Sequence, residues 1–249
     1  MNKENIIAVR SKKVIYRDND KVIKAFNEGY PKSDILNEAV NHARVEEIGI
    51  NMPSILGVQT IEDKWSIVTE YIEGPTLHQL MEENPNKIDE YLEKFVEIQL
   101  EVHKKQAPLL NKLKDKLSRK IANAPIDDTT KYDLQTKLKV LPKHIKVCHG
   151  DFHPANIIVN PNGKWYILDW SHATQGNASA DVAHTYIEFL GEGKEEIAKK
   201  YLNLYCEKSQ TSLSYVQGWM SIIAAARLEK VVDEDKKNFL LTFVDVVEY

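Results

Sequence analysis

Cysteine is scarce in this chain: two among 249 residues, Cys148 and Cys206. Two cysteines cannot build a disulfide framework, so a reducing, cytoplasmic setting is the easier expectation. Long apolar runs are missing as well. No window reaches the roughly 18 apolar residues of a membrane span. The opening MNKENIIAVRSKK has no apolar stretch of signal-peptide length, so neither a membrane nor export is expected. There is no basic block. Lys and Arg number 33 against 37 Asp and Glu, spread along the chain for a net charge of −4. That distribution leaves no electrostatic footprint for nucleic acid. Internal repeats and low-complexity segments are absent too. What remains is an ordinary globular composition, 43% hydrophobic and 28% charged, long enough for one large domain or two lobes.

The first seventy residues read as strands with one helix. IIAVR, KKVIYRD and KVIKAF are short runs rich in β-branched residues, and Asp18-Asn19-Asp20 between the last two is turn chemistry. SDILNEAVNHARVEEIG carries Ile35, Leu36, Ala39, Val40 and Ala43 at helical spacing. Ser33 or Asp34 is placed to cap its start and Gly49 to end it. SILGVQT and WSIVTEYIE read as a further strand pair around Glu62-Asp63-Lys64. After Gly74-Pro75 the pattern turns helical, with TLHQLMEE, the long amphipathic NKIDEYLEKFVEIQLEVHKK, and a lysine-rich stretch from 108 to 140 broken by NAPIDD. IIVN and KWYILDW flank Pro161-Asn162-Gly163, a hairpin signal. From Asp181 onward only helices are read. The expectation is an α+β chain in two lobes, residues 1–72 a small antiparallel sheet with one helix and 73–249 mainly helical.

The chemistry concentrates in HGDFHPAN, residues 149–156. Phosphoryl transfer needs a carboxylate near the acceptor hydroxyl, oxygen ligands for Mg²⁺ and a cation on the donor phosphates. Asp151 lies on a loop before a strand. Asn156 follows five residues on, and Asp169 ends the returning strand of the hairpin, beside Asn156. An Asn and Asp oxygen set suits Mg²⁺. Lys24 lies in the third strand, and Glu38 on the next helix is placed to hold it; Glu46 and Glu47 compete for that part.

These residues carry a family resemblance. HGDFHPAN matches the H-x-D-x-x-x-x-N loop of the protein-kinase-like fold and resembles more closely the aminoglycoside phosphotransferase and choline kinase superfamily. ILDW resembles the segment holding that family's second metal-binding aspartate, VIK its strand lysine motif, and NEA the helix with its glutamate. VTEYIEGPTL is similar to its hinge, QLEVHKKQAP to its helix ending in Leu-His, and NASADVAH to the segment after the metal aspartate. The resemblance covers roughly residues 5 to 190. It implies a small-molecule kinase moving the γ-phosphate of ATP or GTP to a hydroxyl, with Mg²⁺. Asp151 would be the catalytic base, Asn156 and Asp169 the Mg²⁺ ligands, and Lys24 the phosphate lysine paired with Glu38. Backbone groups at Glu70, Tyr71 and Ile72 would hold the base, and His149 would brace the loop. Asp181 reads first as a helix cap; the resemblance adds a hydrogen bond to the catalytic loop. His153, Trp170 and His172 are proposed to line the acceptor pocket, and His103 is expected to be buried and satisfied.

The departures matter as much. The segment between the first two strands, Arg10-Ser11-Lys12, has no glycine where protein kinases cover the phosphates with a glycine-rich loop. ILDW is followed by Ser171, and no APE-like segment follows, which argues for a small acceptor over a protein. Acceptors in this superfamily include aminoglycosides, choline, amino-alcohols and sugars. Asp233-Glu234-Asp235 and the final Glu248-Tyr249 lean towards a cationic one, although such runs are usually solvated faces. Three rivals stand beside this reading: a catalytically silent nucleotide-binding scaffold, a protein kinase, and a zinc metallohydrolase using His149, Asp151 and His153.

Overall fold

The structure is a computed structural model that describes residues 5–244. The end of the last predicted helix and Glu248-Tyr249 lie outside the described residues. The chain forms two compact units interleaved in sequence. Residues 1–85 and 154–173 make the first, and residues 86–153 and 174–249 the second. A single cut after residue 72 would have left the 154–173 segment with the helical part. Among the described residues no helix is long and apolar enough to cross a membrane.

The first unit is built on a five-stranded antiparallel sheet in the order β1-β2-β3-β5-β4, comprising β1 (Ile6–Val9), β2 (Lys13–Asp18), β3 (Lys21–Phe26), β4 (Ile55–Ile61) and β5 (Lys64–Glu70). Side chains alternate across each strand. One face buries Ile23, Ala25 and Val68. The other buries Phe26 and Ile67 against Ile35 and Ala39 of helix α1 (Lys32–Glu46). Phe26 is fully enclosed, so truncating it to Ala costs about 3–5 kcal/mol. Helix α1 begins at Lys32 behind Pro31, whose fixed φ suits the entry, and no side chain caps it. Ser33 and Asp34 therefore lie inside the first turn. Helix α2 (Leu77–Glu83) starts with a Thr76/Gln79 capping box.

The predicted hairpin is β7 (Ile157–Val159) and β8 (Trp165–Ile167), paired from Ile157↔Ile167 to Val159↔Trp165. Thr76 bridges to Ile158, and the Val159 amide donates to Pro75 O at 3.0 Å. Gly74 makes that approach possible. Its φ is +138°, and a Cβ there would collide with the Val159 carbonyl.

The second unit is helical: α3 (Ile88–Lys104), α4 (Leu113–Asn123), α5 (Asp128–Val140), α6 (Ala178–Gly191), α7 (Glu195–Ser209), α8 (Leu213–Leu228) and α9 (Glu234–Val244). It also contains two short strands the sequence pattern did not reveal, β6 (Lys146–Cys148) and β9 (Thr174–Gly176), paired antiparallel. Three-residue strands are too short to show a period. Phe95 on α3 stacks near Phe152 at 4.7 Å and Tyr201 at 5.7 Å, centring an aromatic core. The acidic Asp233-Glu234-Asp235 has a local role. The Asp233 carboxylate accepts the Lys236 amide at 2.8 Å and so caps α9.

Candidate active site

Strand register creates the first half of the site. Lys24 pairs with Ile15 on one side and Ile67 on the other. It therefore shares the sheet face of Phe26 and Ile67, the face that α1 covers. On α1 the buried positions Ile35, Glu38, Ala39 and His42 form one helical stripe. Glu38 thus meets the lysine, with Lys24 Nζ 2.5 Å from Glu38 Oε1. Glu46 is committed elsewhere, accepting the Ile55 amide at 3.0 Å.

Asp169 completes the cluster. The Leu168 amide donates to Asn156 O at 2.8 Å, extending the hairpin ladder by one step and setting Asn156 beside the end of the returning strand. Asp169 then adopts a left-handed backbone, φ 55°, a conformation costly for residues other than glycine and often found at functional sites. Its Oδ1 lies 3.4 Å from Lys24 Nζ. A second lysine joins them: Lys13 Nζ is 3.6 Å from Glu38 Oε1 and 3.8 Å from Asp169 Oδ2. Burial opposes charge on Lys24, Asp169 and Lys13, but attraction outweighs it for the first two. Asp169 and then Glu38 raise Lys24, while Lys24 and then Lys13 hold the Asp169 carboxyl well below the usual range. Lys13 is lowered, by burial first and next by the charge of Lys24.

At the end of β5 the amides of Glu70 and Tyr71 donate to Ser54 O and Asp20 O, at 2.9 and 2.8 Å. Those two amides are not available to a base edge. Ile72 is buried, and the Tyr71 ring lies under the Arg17 guanidinium at 3.9 Å.

The second unit holds the HGDFH loop. Asp181 lies in the first turn of α6, but the helix cap is Asn177, whose side chain accepts the Ser179 amide. The capping reading of Asp181 is thereby corrected. Its buried carboxylate accepts the His149 amide at 3.0 Å and the Gly150 amide at 2.6 Å. It also meets His103 Nε2 at 3.2 Å, and His103 Nδ1 meets the Tyr205 hydroxyl at 2.9 Å. Gly150 has φ +78°, the left-handed turn that lets consecutive amides face one carboxylate. The Asp151 amide donates to His149 Nδ1 at 3.2 Å, which assigns the neutral ring's proton to Nε2. Thr185 Oγ1 donates to Phe152 O at 2.6 Å. His149 and Phe152 are buried, and Asp151 between them keeps a third of its side chain accessible. His153 Nε2 lies 3.6 Å from Asp151 Oδ2. Burial works against the Asp151 charge, but the hydrogen bond and charge of His153, with His184 and His149, hold its carboxyl far below the usual range; His153 is raised in return.

This arrangement disfavours a zinc cluster in HGDFH. His149 uses Nδ1 inside the loop and is fully buried. Among the described residues no three His, Cys, Asp or Glu side chains group in metal-holding geometry. One acceptor-pocket expectation also changes. Trp170 is completely buried and its Nε1 donates to Ile167 O, so it is core. His172 is exposed on the short turn after Asp169. Sequence reasoning missed Lys13, Thr185 and Tyr205. Lys13 had a signal: the Asp18-Asn19-Asp20 turn fixes a register that sets residue 13 on the face of residue 24.

Comparison with known protein families adds the remaining observation: residues 8–219 match the phosphotransferase enzyme family. The chain belongs to that family. It is a phosphotransferase, with the kinase-like fold expected from its motifs. No curated protein matches this chain at the sequence level. Aminoglycoside phosphotransferase APH(4)-Ia is 14% identical with a TM-score of 0.72, covering 96% of this chain and 90% of that one. Choline kinase LicA from Streptococcus pneumoniae is 17% identical with a TM-score of 0.61, covering 96% and 92%. ADP-bound APH(2'')-Ib is 13% identical with a TM-score of 0.65, covering 97% and 91%. At these identities the likeness concerns the fold.

Proposed function

We propose that this phosphotransferase moves the γ-phosphate of ATP or GTP to a hydroxyl of a small acceptor with Mg²⁺, in the cytoplasm. The observation that carries the reading is the convergence of Lys24, Glu38 and Asp169 in the first unit. A lysine held between two carboxylates, one of them partly open to water, is suited to meeting a polyphosphate and its metal. Asn156 and Asp169 would hold Mg²⁺. Their donors are oxygens only, and Mg²⁺ is commonly bound by one or two protein groups while waters and substrate phosphates complete the shell. When bound, the ion supplies charge and orientation to the donor phosphates. Ile72 and carbonyls at the β5 exit would receive the base.

In this reading Asp151 orients the acceptor hydroxyl and takes its proton. Its strongly lowered pKa keeps it ionised at neutral pH, so orientation and negative charge are its main contributions. The Asp181 network fixes the loop that presents it. His153 beside Asp151 would touch the acceptor. The missing activation segment favours a small molecule, and the neighbours include a protein crystallised with AMP-PNP and hygromycin B and a choline kinase. Aminoglycosides, choline-like alcohols, amino-alcohols and sugars are the classes to screen.

The test is thermal stability with ATP and GTP, with and without Mg²⁺, on wild type and Asp169→Ala. A ligand that binds the folded state raises the midpoint. A Mg²⁺-dependent rise that Asp169→Ala abolishes supports the site, and an acceptor screen by ADP or GDP release follows. No rise with either nucleotide would sink the reading.

A further inference from the structure

The turn between β1 and β2 raises a physical problem for the donor site proposed above. Arg10-Ser11-Lys12 contains no glycine, and none of the three has a left-handed backbone. The turn is also tied down. The Asn27 amide donates to Lys12 O at 2.9 Å, Asn27 Nδ2 donates to Ser11 O at 3.2 Å, and the Arg10 amide donates to Lys13 O at 2.9 Å. A turn without glycine, its carbonyls pinned in this way, lacks the freedom with which a glycine-rich loop folds its amides around a phosphate chain.

Immediately after it comes a charge the family motifs do not call for. Lys13 opens β2 and pairs with Phe26; two residues on, Ile15 pairs with Lys24. Residues 13 and 15 share a face, so Lys13 and Lys24 are diagonal neighbours on that face. Their ammonium groups converge on the same two carboxylates, Glu38 and Asp169, with Lys13 at 3.6 and 3.8 Å from them. Two cations side by side repel, and the pair persists because two anions face it. The cluster is balanced as it stands. A metal on Asp169 would compete with both lysines for that carboxylate, and a phosphate chain would be the replacement anion.

We propose that Lys13 is a second phosphate-binding cation of the donor site, replacing with side-chain charge the contacts that backbone amides make in a glycine-rich loop. This rests on the nucleotide-site reading above. Its specific content is that Lys13 recognises the phosphates rather than the nucleoside, and that it does more than offset Glu38 and Asp169 within the fold.

The experiment is titration calorimetry of the full chain with adenosine, ADP and ATP in Mg²⁺, or the guanosine series if GTP is the nucleotide that stabilises it. Lys13→Met is compared with wild type and with Lys12→Met, an exposed lysine one residue earlier whose Nζ lies 5.9 Å from the Tyr30 ring. Triphosphate affinity should fall roughly ten- to hundredfold in Lys13→Met, the size of a lost charge-assisted contact. Nucleoside affinity should stay within about twofold, and Lys12→Met should resemble wild type. A triphosphate-to-nucleoside affinity ratio unchanged in Lys13→Met would overturn the proposal and leave Lys13 a structural counter-charge. If Lys13→Met does not fold, Lys13→Gln carries the same comparison, and Lys13→Arg should restore most of the ratio. A wild type that binds no nucleotide would overturn the donor-site reading itself, and this inference with it; a normal wild type with an indifferent Lys13 variant overturns this inference alone.

Discussion

In the first unit four charged side chains hold one another, and water reaches each of them. Lys13 and Lys24 keep 19% side-chain exposure, Glu38 11% and Asp169 31%. In the second unit Asp181 has none, and it is surrounded by two backbone amides and His103. The two arrangements suit different tasks. A balanced, partly wet charge cluster can be redistributed by an incoming anion and metal at modest cost. A buried carboxylate saturated with hydrogen bonds cannot, because every broken bond leaves a desolvated group behind. The first suits the binding role proposed for it. The second is a rigid mount, and the side chain it presents, Asp151, is accessible.

The difference breaks most sharply at that presented carboxylate. Asp151→Asn keeps shape and loop hydrogen bonds but removes the charge and the proton acceptor. Turnover should drop about a thousandfold while nucleotide affinity stays near wild type, since a positioned base contributes about 10²–10⁴-fold. Coupled ADP release and calorimetry measure the two separately. An equal loss of both would mean that Asp151 holds the loop together. Next is the mount itself. Asp181→Ala strands two amides and His103 in the interior, so the unfolding free energy should fall by about 3–5 kcal/mol, read as a lower urea midpoint with unchanged slope. A loss below about 1 kcal/mol would show that the loop does not depend on it.

The sequence carried these two regions unequally. Strand, hairpin and long-helix patterns were readable because β-branched runs mark the strands, Asn-Gly marks the hairpin, and the 3.6 period survives in α1 and α3. The Lys24–Glu38 pair was also legible, since a strand residue and a buried helix stripe facing one sheet side leave few partners. Lys13 was legible in principle, through the register the Asp18 to Asp20 turn imposes, but needs that register written out. The Asp181 network was not. Its partners come from α3, α6, α7 and the loop after β6, brought together by helix packing that no local period encodes. Asn177 displaced Asp181 as the cap for a local reason: it precedes the helix, whereas Asp181 is already inside the first turn. Trp170 misled because a position next to the proposed metal ligand Asp169 was taken for a surface, and the indole went into the core.

The proposed binding cluster should tolerate damage that the mount does not. Lys24→Met leaves Glu38 and Asp169 facing Lys13, so stability should fall by only about 1 kcal/mol, while the nucleotide KM rises roughly ten- to hundredfold. A stability loss matching that of Asp181→Ala would erase the distinction between the two regions.

The smallest expected effect lies between Asp151 and His153, a pair in the rigid unit that water still reaches. His153 is raised by Asp151 despite its burial, so the pair stabilises the fold fully below the ordinary histidine value of about 6.5. That contribution fades as pH rises through the higher folded value. Asp151 is depressed, so its share is present above the ordinary carboxylate range and is lost only as strong acid reaches its lower folded value. Between those limits the pair is intact. With a quarter to a third of each side chain exposed, screening limits the pair to about 1 kcal/mol. His153→Asn should therefore flatten the decline in stability above about pH 6.5 and leave the acid limb shallower, because Asp151 loses its closest cation. Urea midpoints from about pH 2.5 to 8.5 on wild type and variant measure the difference. Parallel curves across that range would mean that His153 is held by the loop's packing, with no contribution from the charge of Asp151.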